Sequence, residues 1–241
     1  MNLPNVTTLY EVMEKTWPAA KQTNQGPFTL RFGAGGGKRV SAATANLPVA
    51  LDDLPPAEAA MRAMDQSPLF MIREGDEALD ALLEEVGYQI VDPVNIYAVQ
   101  ATEVATELPP RTVAIAAWEP LRIMEEIWQS GGIGAERIDI MHRATEPKTG
   151  FISRWQDKPA GASFVGMHQG IAMVHALEIV EHQRRNGLAR WAMRRAAYWT
   201  LANAGETLSV MCTVENTAAN ALYTSLGMRR IGGYHYRIKS V

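Results

Sequence analysis

Cysteine is nearly absent from this sequence. Of 241 residues only Cys212 is one, which excludes an internal disulfide and any cysteine-clustered metal site. Cys212 lies in an apolar stretch, Leu208 to Val214, and reads there as a small core residue rather than a reactive thiol. Long apolar runs are missing as well: none approaches the roughly 18 residues of a membrane span. Met1 to Glu14 has neither the basic start nor the apolar core of a secretory leader, so the expectation is a cytoplasmic protein without membrane contact. Nor is there a surplus of positive charge. A net charge of -3 argues against general binding to nucleic acid.

What is present suits a soluble globular protein, with 47% hydrophobic and 20% charged residues. The length allows one large domain or two small ones, and either can bury a sizeable core. Periodicity predicts a first helix over Leu9 to Ala19, ended by Pro18, then strands over Pro27 to Phe32 and Arg39 to Thr44. The Gly33–Lys38 cluster between them lacks phosphate-loop spacing, because Phe32 stands where the first glycine belongs and Arg39 where a hydroxyl belongs. A hairpin turn is the expectation there. Helices follow over Ala57 to Asp65 and Glu77 to Val86, with strands over Leu69 to Arg73 and Tyr88 to Val99. Ala101 to Pro110, small and polar with a stiff Pro109-Pro110 exit, reads as a linker.

Beyond it come a strand over Thr112 to Trp118 and helices over Pro120 to Gln129 and Ala135 to Arg143. Three strands, Phe151 to Gln156, Ala162 to Gln169 and Ile171 to Val180, are joined by tight turns. The last of these feeds a short basic loop, Glu181 to Asn186, that opens into a helix over Leu188 to Ala202. A helix beginning at Gly187 offers free N–H groups and a positive dipole end, which together suit a phosphate group. Gly187 puts no Cβ in the way, Ala189 keeps the first turn small, and Arg184 and Arg185 add cationic charge.

Arg184-Arg185-Asn186-Gly187-Leu188-Ala189 resembles the Arg/Gln-x-x-Gly-x-Gly/Ala loop of the GNAT superfamily of N-acetyltransferases. A later stretch, with Asn216, Asn220, Tyr223 and Gly227-Met228, resembles a second motif of that superfamily, one helix and one strand downstream. The resemblance spans about residues 150 to 237. It implies the GNAT acyl-CoA N-acyltransferase fold, an α/β fold with a mixed sheet, and acetyl-CoA as acyl donor to an amine acceptor, with no metal. By resemblance, the loop Arg184 to Ala189 grips the coenzyme pyrophosphate, with Asn216 and Asn220 on the cofactor side. Backbone N–H groups of Leu177, Ile179 and Val180 at the strand end polarise the thioester, and Tyr223 protonates the departing thiolate.

The general base is not carried by either motif. Glu178 could take a proton directly or through water, and His175 is the other side chain near the strand end. Strand alternation points His175 to the face opposite Glu178. Asn216, Asn220 and Tyr223, four and three apart, should share a polar helix face beside the apolar stripe of Ala219, Leu222 and Leu226. Two other readings stay open: a coenzyme-binding sensor without transfer activity, and the same fold with a longer acyl-CoA. The sequence allows either a monomer or a homodimer.

An internal repeat alters the domain picture. At an offset of 140 residues, Leu69 to Asp76 lies over Ser209 to Asn216, and Val86-Gly87-Tyr88 over Leu226-Gly227-Met228. Asp76, Asp80 and Leu83 replace Asn216, Asn220 and Tyr223, and the loop over Asn46 to Pro56 has no glycine. The expectation is therefore two GNAT-like lobes: a degenerate one over residues 1–108 and a catalytic one over 109–241, with one cofactor site.

Overall fold

The computed structural model describes residues 2–239. The first helix, α1 (Val6–Thr16), starts earlier than its apolar pattern, because Asn5 Oδ1 accepts the Thr8 N–H at 2.9 Å and caps it. Next come β1 (Lys21–Gln25), β2 (Phe28–Phe32), one helical turn α2 (Lys38–Ser41) and β3 (Thr44–Ala45). They are followed by α3 (Leu54–Ala63), β4 (Leu69–Arg73), α4 (Glu77–Glu85), β5 (Gln89–Gln100) and α5 (Ala101–Val104). Then come β6 (Ala114–Ala117), α6 (Arg122–Ser130), α7 (Ala135–Arg143), β7 (Lys148–Trp155) and β8 (Lys158–His168). The last elements are β9 (Ile171–Ile179), α8 (Leu188–Ala202), β10 (Thr207–Thr213), α9 (Thr217–Ser225) and β11 (Arg229–Ile238). The class is α/β with a mixed sheet, as the sequence predicts. Among the described residues no helix is long and apolar enough to cross a membrane.

The glycine cluster is not a hairpin turn. Gly35 and Gly37 take φ of +80° and +96°, and the chain then enters α2 rather than a strand over Arg39 to Thr44. The hairpin forms one element earlier, where β1 pairs antiparallel with β2 across Gly26. Lys21–Gln25 has no apolar residue, so it carries no period-two signal to read.

The chain forms two compact units that do not part at residue 108. Of the described residues, the first comprises 2–18, 96–212 and 216–231; the second comprises 19–95, 213–215 and 232–239. Within the first, the strand order is β5-β10-β9-β8-β7-β6, with β9 parallel to β10 and antiparallel to β8. Its core joins Phe151, Val165, Val174, Met193, Ala196, Val210 and Tyr223. The expected linker belongs to this core: Ala101 and Val104 of α5 are buried in it. Within the second, the order is β4-β11-β5, and a core of Phe28, Leu54, Met61, Phe70, Leu83 and Tyr88 lies beneath.

The repeat extends to the secondary structure. α4 and α9 coincide at the offset of 140 residues, as do the starts of β5 and β11. Each helix ends on a left-handed glycine, Gly87 (φ +90°) and Gly227 (φ +77°). In each, the next amide reaches back to the final turn, Tyr88 N–H to the Leu83 carbonyl and Met228 N–H to that of Tyr223. The copies trade their last strands. β5, which ends the first copy, lies beside β10 in the first unit, and β11, which ends the second, pairs antiparallel with β4 in the second unit. That exchange is why a cut near residue 108 does not separate the units.

One contact repeats with its chemistry changed. In the first unit the Tyr97 hydroxyl donates to Asn220 Oδ1 at 2.8 Å; at the equivalent positions of the second, Arg237 Nε donates to Asp80 Oδ1 at 2.7 Å. His235 Nε2 also lies 2.8 Å from Asp80 Oδ1, and Arg237 donates to the Tyr88 carbonyl. Burial acts to raise the Asp80 carboxyl, but hydrogen bonds from Arg237 and His235 outweigh it and hold the group below the usual range. A depressed folded-state pKa means the pair stabilises fully above the unfolded carboxylate pKa, and the contribution fades as pH falls through the folded value. Asp80→Ala leaves the buried Arg237 without its main anion and should cost about 2 kcal/mol in urea unfolding at neutral pH. The pair Asp80→Asn with Arg237→Tyr, copied from the other repeat, should restore most of that loss; no restoration would mean the two contacts are not equivalent.

Candidate active site

β9 and β10 register from Ile171 opposite Thr207 to Val174 opposite Val210, and the parallel pairing ends there. Past that point β9 is irregular. On its β8 side Ala162 faces Glu178 and Phe164 faces His175, so Ser163 stands against two residues, Ala176 and Leu177. This is a β-bulge, and Ala176 takes a left-handed φ of +50°. The Trp128 indole N–H of α6 donates to the Ala176 carbonyl at 2.8 Å.

The bulge overturns one expectation. Val174 and Leu177 pack with Met193 and Ala196 of α8, and Ile179 packs with Leu188 at its start. The extra residue therefore returns Glu178 to the face that His175 occupies, instead of the opposite one. His175 is buried, stacked on Trp17 with ring centroids 4.9 Å apart, and its Nε2 lies 2.9 Å from Thr16 Oγ1. The Thr16 hydroxyl gives its own hydrogen to the Val12 carbonyl, so His175 Nε2 carries the proton between them.

Glu178 lies at the mouth of the loop. Its Oε1 accepts from Arg184 Nη2 at 3.1 Å, and Arg184 Nε donates to the Ile179 carbonyl at 3.0 Å. A Cβ on Gly131, at the end of α6, would meet Glu178 Cδ at 2.7 Å, so that glycine makes room for the carboxylate. The Val180 amide is engaged elsewhere, donating to the Ala160 carbonyl at 3.0 Å. A single 3-10 turn, Glu181–Gln183, follows, and Asn186 Nδ2 donates to the Gln183 carbonyl. Arg185 (φ +66°) and Gly187 (φ +76°) then swing the chain into α8.

No side chain caps α8, and its Trp191 N–H bonds the Gly187 carbonyl. The first-turn amides of Leu188, Ala189 and Arg190 therefore have no acceptor within the helix. A Cβ on Gly187 would meet no atom within 4 Å. Leu188 anchors the turn in a small cluster with Ala160 and Ile179, with Ala189 against it. Arg190 Nη2 donates to Ser225 Oγ at 2.8 Å, which ties α8 to α9.

On α9, Asn216 caps the helix by accepting the Ala219 N–H at 3.0 Å. Asn220 donates to the Asn216 carbonyl and accepts from Tyr97, so its amide is held on both sides. Tyr223 does not share the polar row expected of it. It is buried in the core beside Leu226, its ring 5.8 Å from that of Tyr97, and among the described residues its hydroxyl has no hydrogen-bond partner. Burial, and the nearby Cys212 thiol, raise its pKa well above the usual phenol range. Burial likewise pushes the Cys212 thiol up to about 11, so it stays protonated at neutral pH.

The structure thus gathers Glu178, Ile179, Arg184, Asn186, Gly187, Leu188 and Ala189 around one turn, and Asn216, Asn220 and Tyr223 along one helix. His175 stands apart from both groups, turned toward α1. Linear pattern missed Trp128, which reads as a core aromatic, and Gly131, which reads only as a helix stop. Tyr97 had a signal: it falls at the repeat position of Arg237.

A family model described as FR47-like protein matches residues 154–238, which hold the strand, the loop and α9. An uncharacterized N-acetyltransferase of Bacillus subtilis, YobR, is 24% identical over 247 residues, covering 98% of this chain and all of that protein. In fold, the chain is similar to a GCN5-related N-acetyltransferase from Kribbella flavida, with a TM-score of 0.70 at 18% identity over 97% of this chain and 95% of that one. It is similar as well to a tandem GNAT protein from the clavulanic acid biosynthesis pathway, with a TM-score of 0.58 at 12% identity over 82% of this chain and 74% of that one. The chain is thus similar over residues 154–238 to the FR47-like family, similar along its length to a curated N-acetyltransferase, and shares the fold of GCN5-related N-acetyltransferases.

Proposed function

We propose that this enzyme moves an acetyl group from acetyl-CoA to the primary amine of an acceptor, by direct attack in a ternary complex. The observation that carries the reading is the amino end of α8: three first-turn amides without a side-chain cap, behind a left-handed Gly187 with open space where a Cβ would be. Such an end suits a diphosphate, and Arg184 and Arg185 supply charge beside it. Asn186 and Asn216 hold the loop and α9 in shape, Leu188 and Ala189 seat the turn, and Asn220 keeps Tyr97 beside Tyr223.

The coenzyme thioester then lies along the open end of β9, where backbone amides from Leu177 to Ile179 polarise its carbonyl. As the amine nitrogen bonds the acetyl carbon, the C–S bond breaks and the sulfur takes a proton from Tyr223, which burial keeps protonated. The proton leaving the amine goes to Glu178 or to a water beside it. Oε1 is held by Arg184, while Oε2 faces Gly131 on the α6 side. The buried His175, with its Nε2 proton shared with Thr16, shapes the wall of the site.

One coenzyme site per chain is the proposal, and the structure of the first copy supports it. α3, the counterpart of α8, begins Leu54-Pro55-Pro56 after Asp52 and Asp53. Two of its first three residues lack an N–H, and the acidic pair repels phosphate. At the equivalent of Asn220, Asp80 is committed to Arg237. We read residues 1–108 as a degenerate GNAT copy and 109–241 as the copy that carries the chemistry.

Two variants test the site. Gly187→Val meets no protein atom and costs only the backbone strain of a left-handed valine, yet should weaken acetyl-CoA binding at least tenfold by calorimetry, about 1.4 kcal/mol. Unchanged affinity would remove the diphosphate from this turn. Tyr223→Phe should lower the rate of thiol release with a panel of primary amines by about 10- to 100-fold while CoA binds as before. Equal rates would take Tyr223 out of the chemistry.

A further inference from the structure

The bulge on β9 needs something to hold it. Ala176 sits at φ +50°, a conformation that costs an L-residue with a Cβ about 1 kcal/mol, and it lies two residues beyond the end of the β9–β10 pairing. Relaxing it would return β9 to regular alternation and carry Glu178 to the other face of the sheet. The side chain placed to prevent this is Trp128. It is fully buried, α6 packs on β8 and β9, and its one donor, the indole N–H, is spent on the Ala176 carbonyl at 2.8 Å. A planar trans peptide has its carbonyl and its N–H on opposite sides, so a fixed Ala176 oxygen fixes the direction of the Leu177 N–H as well. Gly131, one turn after Trp128 on the same element, is the residue against which Glu178 lies. α6 therefore sets both the bulge peptide and the carboxylate that follows it.

We propose that Trp128 is a positioning residue for acyl transfer: its indole N–H locks the Ala176–Leu177 peptide so that the bulge amides face the acyl carbonyl of the donor. The inference rests on the reading above that acetyl-CoA lies with its thioester along β9. Trp128 touches no reacting atom and acts through the backbone. A tryptophan that merely filled the core would leave the electronic state of the bound donor unchanged on replacement by another large apolar ring.

The test uses [1-13C]acetyl-CoA without acceptor, bound to the full chain, and reads the thioester carbonyl band by infrared difference spectroscopy. Wild-type protein should move the band to lower wavenumber than in buffer. Trp128→Phe should bind acetyl-CoA with a Kd within about threefold of wild type, return the band to its solution position, and release thiol to an amine panel about 10- to 100-fold more slowly. A variant that binds and keeps the wild-type shift overturns the inference while leaving the acetyl-CoA reading intact, and so does a wild-type band that never moves. Failure of wild type to bind acetyl-CoA overturns that reading, and this inference with it. Should Trp128→Phe not fold, wild type labelled with [indole-15N]tryptophan decides: the Trp128 cross-peak should shift with acetyl-CoA and not with CoA, and an equal response to both sinks the proposal.

Discussion

Two neighbouring strands that stop pairing leave backbone donors and acceptors that must be satisfied by something else. β9 and β10 part after Val174 and Val210, in the middle of a sheet, and each feature of the site answers that parting. The bulge at Ala176 turns one peptide toward an indole; Arg184 takes the Ile179 carbonyl; α8 begins where β9 leaves the sheet, with its first amides uncapped. The geometry of the proposed site is thus a consequence of interrupted pairing, with α6 holding the bulge.

The second organising feature is the trade of terminal strands between the two copies. Both copies keep the same strand–helix–strand unit with the same glycine stop, and both use one helix residue to hold the other copy's last strand. Where the second copy uses a neutral Asn220–Tyr97 contact, the first uses a charged one, Asp80 with Arg237. The charge is compatible with structure and incompatible with a polyphosphate. Prolines at the start of α3 remove the amides as well. On the proposed reading, charge and backbone donors both set the first copy apart from a coenzyme site.

Much of this was legible in the linear chain. Helices α7 and α8 fall on the residues predicted, because apolar spacing and flanking glycines mark them clearly. Asn216 and Gly227 cap and stop α9 as their chemistry dictates. What stayed hidden was non-local or featureless. Lys21–Gln25 is polar throughout, and its strand exists only because β2 accepts its backbone. An alanine announces no bulge, so the relation of His175 to Glu178 came out reversed. Tyr223 reads as polar by its hydroxyl, yet its ring fits a gap in the core that no spacing rule describes. The interleaving of the two compact units along the chain was hidden for a topological reason, since pairing between distant strands leaves no mark on local composition.

The exchanged strands bear on how the protein is made. β4 emerges from the ribosome early, but its partner β11 is the last strand of the second copy to be synthesised. β10 in turn finds β5 already present and waiting. The N-terminal copy cannot close its sheet as a first, independent folding event, so an unpaired strand edge persists for most of translation. Short, mostly buried β4, bridged at Phe70 by Ala43, is a guarded form of that edge while its partner is still being built.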